Sequence, residues 1–75
     1  MAYTDDIARS LGKAIRVRRK QLRLTQQDVA DLTGLARYTV GRVERGDVGT
    51  QLDTLGRIAD AVGMTVSLST DYRET

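Results

Sequence analysis

The sequence lacks cysteine, histidine, tryptophan, phenylalanine and proline altogether, and its only aromatic residues are three tyrosines. Without cysteine and histidine the chain has no disulfide, no Cys/His zinc site, no thiol nucleophile and no imidazole for acid–base catalysis. No carboxylate pair, nucleophile with a base, or glycine-rich phosphate loop stands in their place. We therefore expect a protein that is not an enzyme and that uses no metal and no cofactor.

Long hydrophobic runs are also missing. The longest stretch without a charged residue covers residues 61–70, too short to span a bilayer, and no signal-peptide pattern opens the chain. A chain of 75 residues, 40% hydrophobic and 29% charged, has the composition and length of one small globular domain. We predict a single domain over residues 1–75, located in the cytoplasm and making no membrane contact, since the core needs the apolar stripe of the first helix.

The net charge of the chain is only +2, but the charged residues are unevenly distributed along the sequence. Residues 9–45 carry ten Arg or Lys and three acidic residues, a local charge of +7, and both flanking segments are acidic. Such a segment favours a polyanionic partner, and arginine favours bidentate contacts with phosphate and guanine. A solvated basic helix face explains the charge equally well, so charge alone does not establish nucleic-acid binding.

Helical spacing and capping patterns predict two helices in the first half of the chain. The first covers about 5–22, with Thr4 or Asp5 as its cap. The second covers about 26–33 and is preceded by Thr25, which forms a capping-box pattern with Asp28. Gly34 ends it. The apolar residues that define the first helix are Ile7, Leu11, Ile15 and Leu22.

Two further helices are predicted over about 37–45 and 51–62. Gly46 ends the third helix, Thr50 with Asp53 opens the fourth, and Gly63 ends it. The residues expected to face the core are Ala36, Val40 and Val43 for the third helix and Leu52, Leu55, Ala59 and Val62 for the fourth. The outward face of the third helix then carries Arg37, Tyr38, Gly41, Arg42 and Arg45.

Residues 64–69 (MTVSLS) alternate apolar and polar side chains, which is the pattern of a strand. A lone strand leaves its backbone groups unpaired, and the sequence has no second strand pattern. We therefore predict antiparallel pairing with a second copy across a twofold axis, with Met64, Val66 and Leu68 facing the helices. A disordered tail or an irregular fifth helix is the alternative.

The second and third helices together have the pattern of a helix-turn-helix, a DNA-reading unit whose second helix enters the major groove. The third helix contains a glycine in its interior, Gly41, which costs roughly 1 kcal/mol relative to alanine. A close approach of the backbone to a groove wall would explain it. A poorly optimised exposed position is the alternative.

Four segments at characteristic spacing carry a family resemblance: residues 24–30 (LTQQDVA), 33–35 (TGL), 39–46 (TVGRVERG) and 52–59 (LDTLGRIA). Over about residues 11–63 the chain resembles the Xre and phage-repressor (lambda-repressor-like) helix-turn-helix family. The resemblance implies an all-α, four-helix domain that binds double-stranded DNA, here followed by the dimerising C-terminal strand.

The resemblance also implies roles for particular residues. Arg37, Tyr38 and Arg42 are expected to face base edges, Gln26 to hold a phosphate at the start of the second helix, and Thr39 to lie near the DNA backbone. Arg19 matches a family arginine that pairs with the glutamate matched by Glu44. The chain departs from the family at Ala36, where Ser or Thr usually caps the recognition helix, and we expect this to cost about 1 kcal/mol.

Some of these assignments have alternatives in the residues themselves. Glu44 borders the core side of the third helix and needs a partner if it is partly buried, but it could also be a surface residue beside Arg42 and Arg45. The residues proposed as further phosphate contacts are Gln27, at a helix N-terminus, and the basic Arg16, Lys20 and Arg45. Each could equally be solvated, as could Arg18 and Arg23.

Residues 46–64 (GDVGTQLDTLGRIADAVGM), together with a dimerising C-terminal strand, are similar to HipB-like antitoxins. This resemblance implies a homodimer that binds a palindromic operator, represses its own operon and holds a HipA-like kinase toxin. We therefore predict a sequence-specific repressor. A protein-interaction module that mainly neutralises a toxin, with DNA binding secondary, is the alternative.

Overall fold

The computed structural model describes residues 2–47 and 49–67, with side chains from Asp5 onward. This part of the chain contains four α-helices, in the predicted order. Their bounds are Ala2–Gln21 for α1, Gln26–Thr33 for α2, Arg37–Glu44 for α3 and Leu52–Ala61 for α4. The bounds of α2 are those expected, and the ends of the other helices lie within three residues of the expected positions.

Two of the predicted helix caps are wrong. Helix α1 begins at Ala2, so Thr4 and Asp5 lie inside the helix and do not cap it. Helix α4 has Gln51 at its N-cap with no side-chain cap hydrogen bond. The Thr50 hydroxyl donates instead to the carbonyl oxygen of Asp47 at 3.2 Å, because the preceding loop folds around Asp47.

The hydrophobic core lies where the four helices meet. Its fully buried side chains are Ile15 of α1, Val29 of α2, Val40 of α3, and Ile58 and Val62 at α4. Helix α4 and its C-cap bury residues at spacings of three and four, from Leu55 through Ile58 and Ala59 to Val62. Ile58 was not among the residues predicted to face the core, yet it is the largest fully buried side chain of α4.

Four residues expected to be inward are exposed. Ile7 is 49% exposed, Leu22 40% and Leu52 74%, and Ala36 is exposed at the N-cap of α3. Ile7 and Leu52 lie instead on the walls of one apolar groove between α1 and α4. Apolar spacing identifies one face of a helix, but it does not say how far along the helix that face is covered.

Helix α1 crosses the C-terminal end of α3 at very short range, and Gly12 makes this possible. A β-carbon at Gly12 would overlap the backbone carbonyl oxygen of Val43 and lie 2.9 Å from that of Glu44. Only a residue without a side chain fits here. Gly12 therefore allows α1 to lie directly against the backbone of α3 at Val43 and Glu44.

Residues 64–67 are neither helix nor strand in the single chain. The Met64 N–H donates to the carbonyl oxygen of Ala59 at 2.8 Å, and its half-buried side chain packs against the core. Val66 lines the groove between α1 and α4, while Leu68 and Ser69 of the predicted strand lie outside the described residues. Because a strand requires a pairing partner, the predicted pairing across a dimer stays a prediction.

Among the helices of the described residues, none is both long enough and apolar enough to cross a bilayer.

Candidate nucleic-acid interface

The unit formed by α2, a tight turn and α3 is built by local interactions. The Thr25 side chain accepts a hydrogen bond from the Asp28 N–H at 2.9 Å, and the Asp28 carboxylate accepts one from the Thr25 N–H at 2.8 Å, which is the predicted capping box. Gly34 ends α2 with φ 74° and donates its N–H to the Ala30 carbonyl. This left-handed residue turns the chain into α3 within two residues. Two short helices in this arrangement form a helix-turn-helix.

The outward face of α3 is open to solvent and carries the residues predicted to read bases. Arg37 and Tyr38 are exposed, and Arg42 is partly exposed. Thr39, predicted to lie near the DNA backbone, is half-buried on the same helix. Ala36 makes no side-chain cap hydrogen bond, as its apolar side chain requires. The residues able to reach a groove therefore lie on one side of the helix.

Gly41 is an exception, because it is buried although it was expected to face outward. A β-carbon at this position would lie 3.1 Å from Nη1 of Arg45 and 3.7 Å from Oε1 of Gln26. The two long polar side chains fold over the glycine. In the free chain these side chains cover Gly41, and the close approach of its backbone to a groove wall stays a prediction about the complex with DNA.

A polar cleft of about 270 Å³ lies beside this face. It gathers four of the predicted phosphate-contacting residues from three parts of the fold: Arg16 and Lys20 of α1, Gln26 of α2, and Arg45 directly after α3. The two Arg and the Lys are exposed and form no ion pair with another described residue. Their charge is available to a polyanion.

Two residues predicted to contact the DNA backbone, Thr39 and Gln27, lie outside this cleft, and Gln27 is on the exposed side of α2. Its amide donates to Oδ1 of Asp31 at 2.9 Å.

Beneath the cleft, Arg19 and Glu44 form a buried ion pair between α1 and α3. Nε of Arg19 lies 2.6 Å from Oε2 of Glu44, and Nη2 of Arg19 donates to Oε1 at 3.0 Å. The two side chains are only 9% and 3% exposed. Nη1 of Arg19 also donates to the carbonyl oxygen of Leu24 at 2.7 Å, so the same guanidinium holds the turn between α1 and α2.

The environment of Glu44 keeps it ionised. Burial alone would raise the pKa of the Glu44 carboxyl, but the hydrogen bonds from Arg19 and Gln26 and the positive charges of Arg19 and Arg16 outweigh burial and lower the pKa. The pKa of Arg19 is raised, chiefly by its hydrogen bond to Glu44. Both partners are therefore charged at neutral pH.

Gln26 connects this pair to the recognition helix. Its Nε2 donates to Oε1 of Glu44 at 3.2 Å, and its Oε1 accepts from Nη1 of Arg37 at 2.9 Å. An amide nitrogen has two hydrogens, so one remains for a phosphate. The spacing of Gln26 and Arg37 in the sequence gave no sign of this contact, because it depends on how α2 and α3 pack.

Beyond the C-terminal end of α3, Asp47 contacts Arg42. Sequence analysis did not identify Asp47. Nε of Arg42 donates to Oδ2 of Asp47 at 2.8 Å, and its guanidinium carbon lies 5.9 Å from the centre of the Tyr38 ring. Oδ1 of Asp47 accepts the Gly49 N–H at 2.8 Å. The Arg42 hydrogen bond and then the Gly49 N–H lower the pKa of Asp47 to about 2.

Two further basic residues of the +7 segment, Arg18 and Arg9, also have partners within the protein. Arg18, considered for a phosphate contact, donates its Nε to the carbonyl oxygen of Val62 at 3.0 Å and so ties α1 to the end of α4. Arg9 forms an exposed ion pair with Asp6 at 2.8 Å.

Within the described part of the chain, no group of three or more acidic side chains could hold a metal ion.

Comparison with known families agrees with this geometry. Residues 10–69 match the helix-turn-helix domain family, so the chain belongs to that family. No curated protein matches the sequence. Helix-turn-helix domains place their second helix on DNA, and membership in the family indicates DNA binding, with DNA as the partner.

Proposed function

We propose that the chain is a sequence-specific transcriptional repressor of bacterial or phage origin, acting in the cytoplasm as a homodimer on a palindromic operator. One observation carries the proposal: the cationic outward face of α3 adjoins a cleft lined by Arg16, Lys20 and Arg45. A single surface therefore offers side chains for base edges and cations for phosphates. The proposed activity is binding, with no catalysis and no cofactor.

In the proposed complex α3 lies in the major groove. Arg37 and Arg42 would each present two N–H donors to a guanine, the commonest specific contact of this side chain. Tyr38, which is 69% exposed, would stack, contact a thymine methyl group or donate to a phosphate. The residues assigned to the DNA backbone are Arg16, Lys20, Gln26, Gln27, Thr39 and Arg45.

Replacing Arg37 by alanine tests base reading. The Arg37→Ala variant should lose about 1–3 kcal/mol of affinity for its selected operator and should relax the preference at one base pair, because a bidentate contact discriminates by that amount. Fluorescence anisotropy with the operator and with random duplexes measures both effects.

Two matched arginine variants serve as controls for this experiment. Arg16→Ala should weaken binding to both DNAs alike and reduce the salt dependence, as expected for a phosphate contact. Arg57→Ala, on the exposed surface of α4, should leave both affinities nearly unchanged. Equal losses by Arg37→Ala on operator and random DNA would exclude Arg37 from base reading.

The homodimer is supported by an apolar groove of about 560 Å³ between α1 and α4. Its walls include the exposed side chains of Ile7, Leu52 and Val66. Exposed apolar side chains gathered in one groove are typical of an interaction surface. We assign a second copy to it because Val66 belongs both to the groove and to the segment predicted to pair across a twofold axis. Such a dimer would read half-sites about 34 Å apart.

Replacing Val66 by aspartate tests this interface. The Val66→Asp variant should be monomeric, because a charge would enter the apolar groove at the predicted pairing segment. Sedimentation velocity measures the mass. Thr65→Asp, an exposed neighbour with the same added charge, is the control and should remain dimeric. An unchanged dimer mass for Val66→Asp would place the dimer interface elsewhere.

We further propose that the repressor is the antitoxin of a toxin–antitoxin pair, on the similarity of residues 46–64 to HipB-like antitoxins. This part of the proposal predicts a gene for a HipA-like kinase toxin beside the gene for this chain. The second candidate function is a module that mainly neutralises the toxin, and it would be favoured if the apolar groove bound the toxin in place of a second copy. Tight binding of an operator by the purified chain alone supports the repressor; loss of specific binding without a partner protein supports the module.

A further inference from the structure

Arg42 differs from the other predicted base-reading residues in being held from two sides. Its Nε–H donates to the Asp47 carboxylate at 2.8 Å, and its guanidinium lies over the Tyr38 ring, with the central carbon 5.9 Å from the ring centre. The Arg42 side chain is 34% exposed and that of Asp47 39% exposed. The pair is thus at the surface, beside the face assigned to DNA.

Asp47 is itself fixed in position. Its N–H donates to the Arg42 carbonyl oxygen at 3.1 Å, its Oδ1 accepts the Gly49 N–H at 2.8 Å, and its carbonyl oxygen accepts the Thr50 hydroxyl at 3.2 Å. The carboxylate therefore cannot follow Arg42 if the arginine moves. It acts as a fixed support at the end of α3.

The hydrogen bond to Asp47 leaves most of the N–H donors of the Arg42 guanidinium available for DNA. Arginine has five N–H donors, and Asp47 takes the one on Nε, so the four on Nη1 and Nη2 remain. A guanine presents O6 and N7 as a pair of acceptors in the major groove and needs two of these donors. Holding Nε in place orients the terminal pair of nitrogens and removes rotamers that a free arginine would lose on binding.

From this arrangement we propose that Asp47 is a specificity-determining positioning residue that orients Arg42 to read a guanine. The proposal rests on the proposed DNA-binding function. The Asp47 carboxylate adds no attraction for DNA, because its charge repels phosphates. Its effect is to favour the DNA sequence that Arg42 can contact over all others.

Selection of bound duplexes from a random pool, carried out with the full chain, tests the proposal. The wild type should select a sequence with a guanine at one position in each half-site. The Asp47→Asn variant should reduce the preference for that guanine about tenfold, with unchanged or higher affinity for random DNA because one repulsive charge is gone. Asp60→Asn, which removes the same charge at an exposed site on α4, should keep the full preference.

A double-mutant cycle assigns the effect to Arg42. In an Arg42→Ala background, Asp47→Asn should cause no further loss of preference, because there is no side chain left to orient. Circular dichroism shows whether each variant keeps its helices. In the free protein, moreover, the Nε–H of Arg42 should exchange with solvent more slowly in the wild type than in Asp47→Asn, a measurement that requires no DNA.

The outcomes separate this inference from the proposed function. If the wild type selects no sequence, the repressor proposal fails and this inference fails with it. If the wild type selects a sequence and Asp47→Asn keeps the same guanine preference, only the positioning role is excluded. Equal gains for Asp47→Asn on operator and random DNA would show that Asp47 is merely a competitor for Arg42.

Discussion

The Arg19→Met variant is expected to lose about 3–5 kcal/mol of unfolding free energy, because it leaves the carboxylate of Glu44 buried without its ionic partner. The Glu44 side chain is only 3% exposed, so water cannot replace the lost guanidinium. A chain of this size gains roughly 3–5 kcal/mol in total from its core. The variant should therefore be largely unfolded at 25 °C, as measured by circular dichroism during a urea titration.

Two further variants identify the cause. Arg16→Met changes the same residue type on the same helix at an exposed position and should shift the stability by less than about 0.5 kcal/mol. In Arg19→Met/Glu44→Leu no charge is left unpaired, and much of the lost stability should return. A loss below about 1 kcal/mol for Arg19→Met would contradict the structural role of the pair.

The pH dependence of stability provides an independent measurement of the same pair. The pKa of Glu44 is lowered in the folded chain, so its contribution is fully present above the pKa of an unfolded glutamate, about 4.3. That contribution is lost as the pH falls through the lower, folded pKa. The wild type should therefore lose stability in this acidic range, and Glu44→Gln should remove this part of the loss.

The Gly12→Ala variant is expected to lose at least about 2 kcal/mol of unfolding free energy. The added methyl group would overlap the Val43 carbonyl oxygen and crowd that of Glu44, and backbone atoms cannot move aside by changing a rotamer. Overpacking of this kind costs typically about 1–3 kcal/mol and occasionally more. The better helix propensity of alanine recovers at most about 1 kcal/mol.

Gly56→Ala is the matched control for this substitution. Gly56 also lies inside a helix, but a β-carbon there would have no atom within 4 Å. The change should therefore stabilise the protein by roughly 0.5–1 kcal/mol through helix propensity alone. Thermal melts of the two variants should move in opposite directions, and a stabilised Gly12→Ala variant would show that α1 and α3 are not in close contact.

The recognition unit was largely predictable because its signals are local. The capping box of Thr25 and Asp28 joins residues three apart, and Gly34 adopts a left-handed conformation that few other residues accept. Such signals act within one turn of helix. The same reasoning failed at Thr50, because the competing hydrogen bond to Asp47 belongs to a loop whose shape has no simple sequence pattern.

The surroundings of the recognition helix were predictable only in part. The resemblance implied that Arg19 pairs with Glu44, and the two side chains are in contact. The Gln26 carboxamide that joins this pair to Arg37 was not foreseen, nor was the support of Arg42 by Asp47. A glycine inside a helical pattern was the one available signal for Gly12, and it does not name the partner helix.

Residue types and short spacings were sufficient to predict the four helices, the turn that makes α2 and α3 a helix-turn-helix, and the concentration of positive charge around them. Each depends on residue type and on spacings of a few residues. Three features depend on how the helices pack: which apolar side chains are buried, where α1 contacts the backbone carbonyls of α3, and which arginines have hydrogen-bond partners within the protein. These contacts are between residues far apart in the sequence. Arg18 and Val62, for example, are 44 positions apart, and only the packing of the helices brings their atoms within hydrogen-bonding distance.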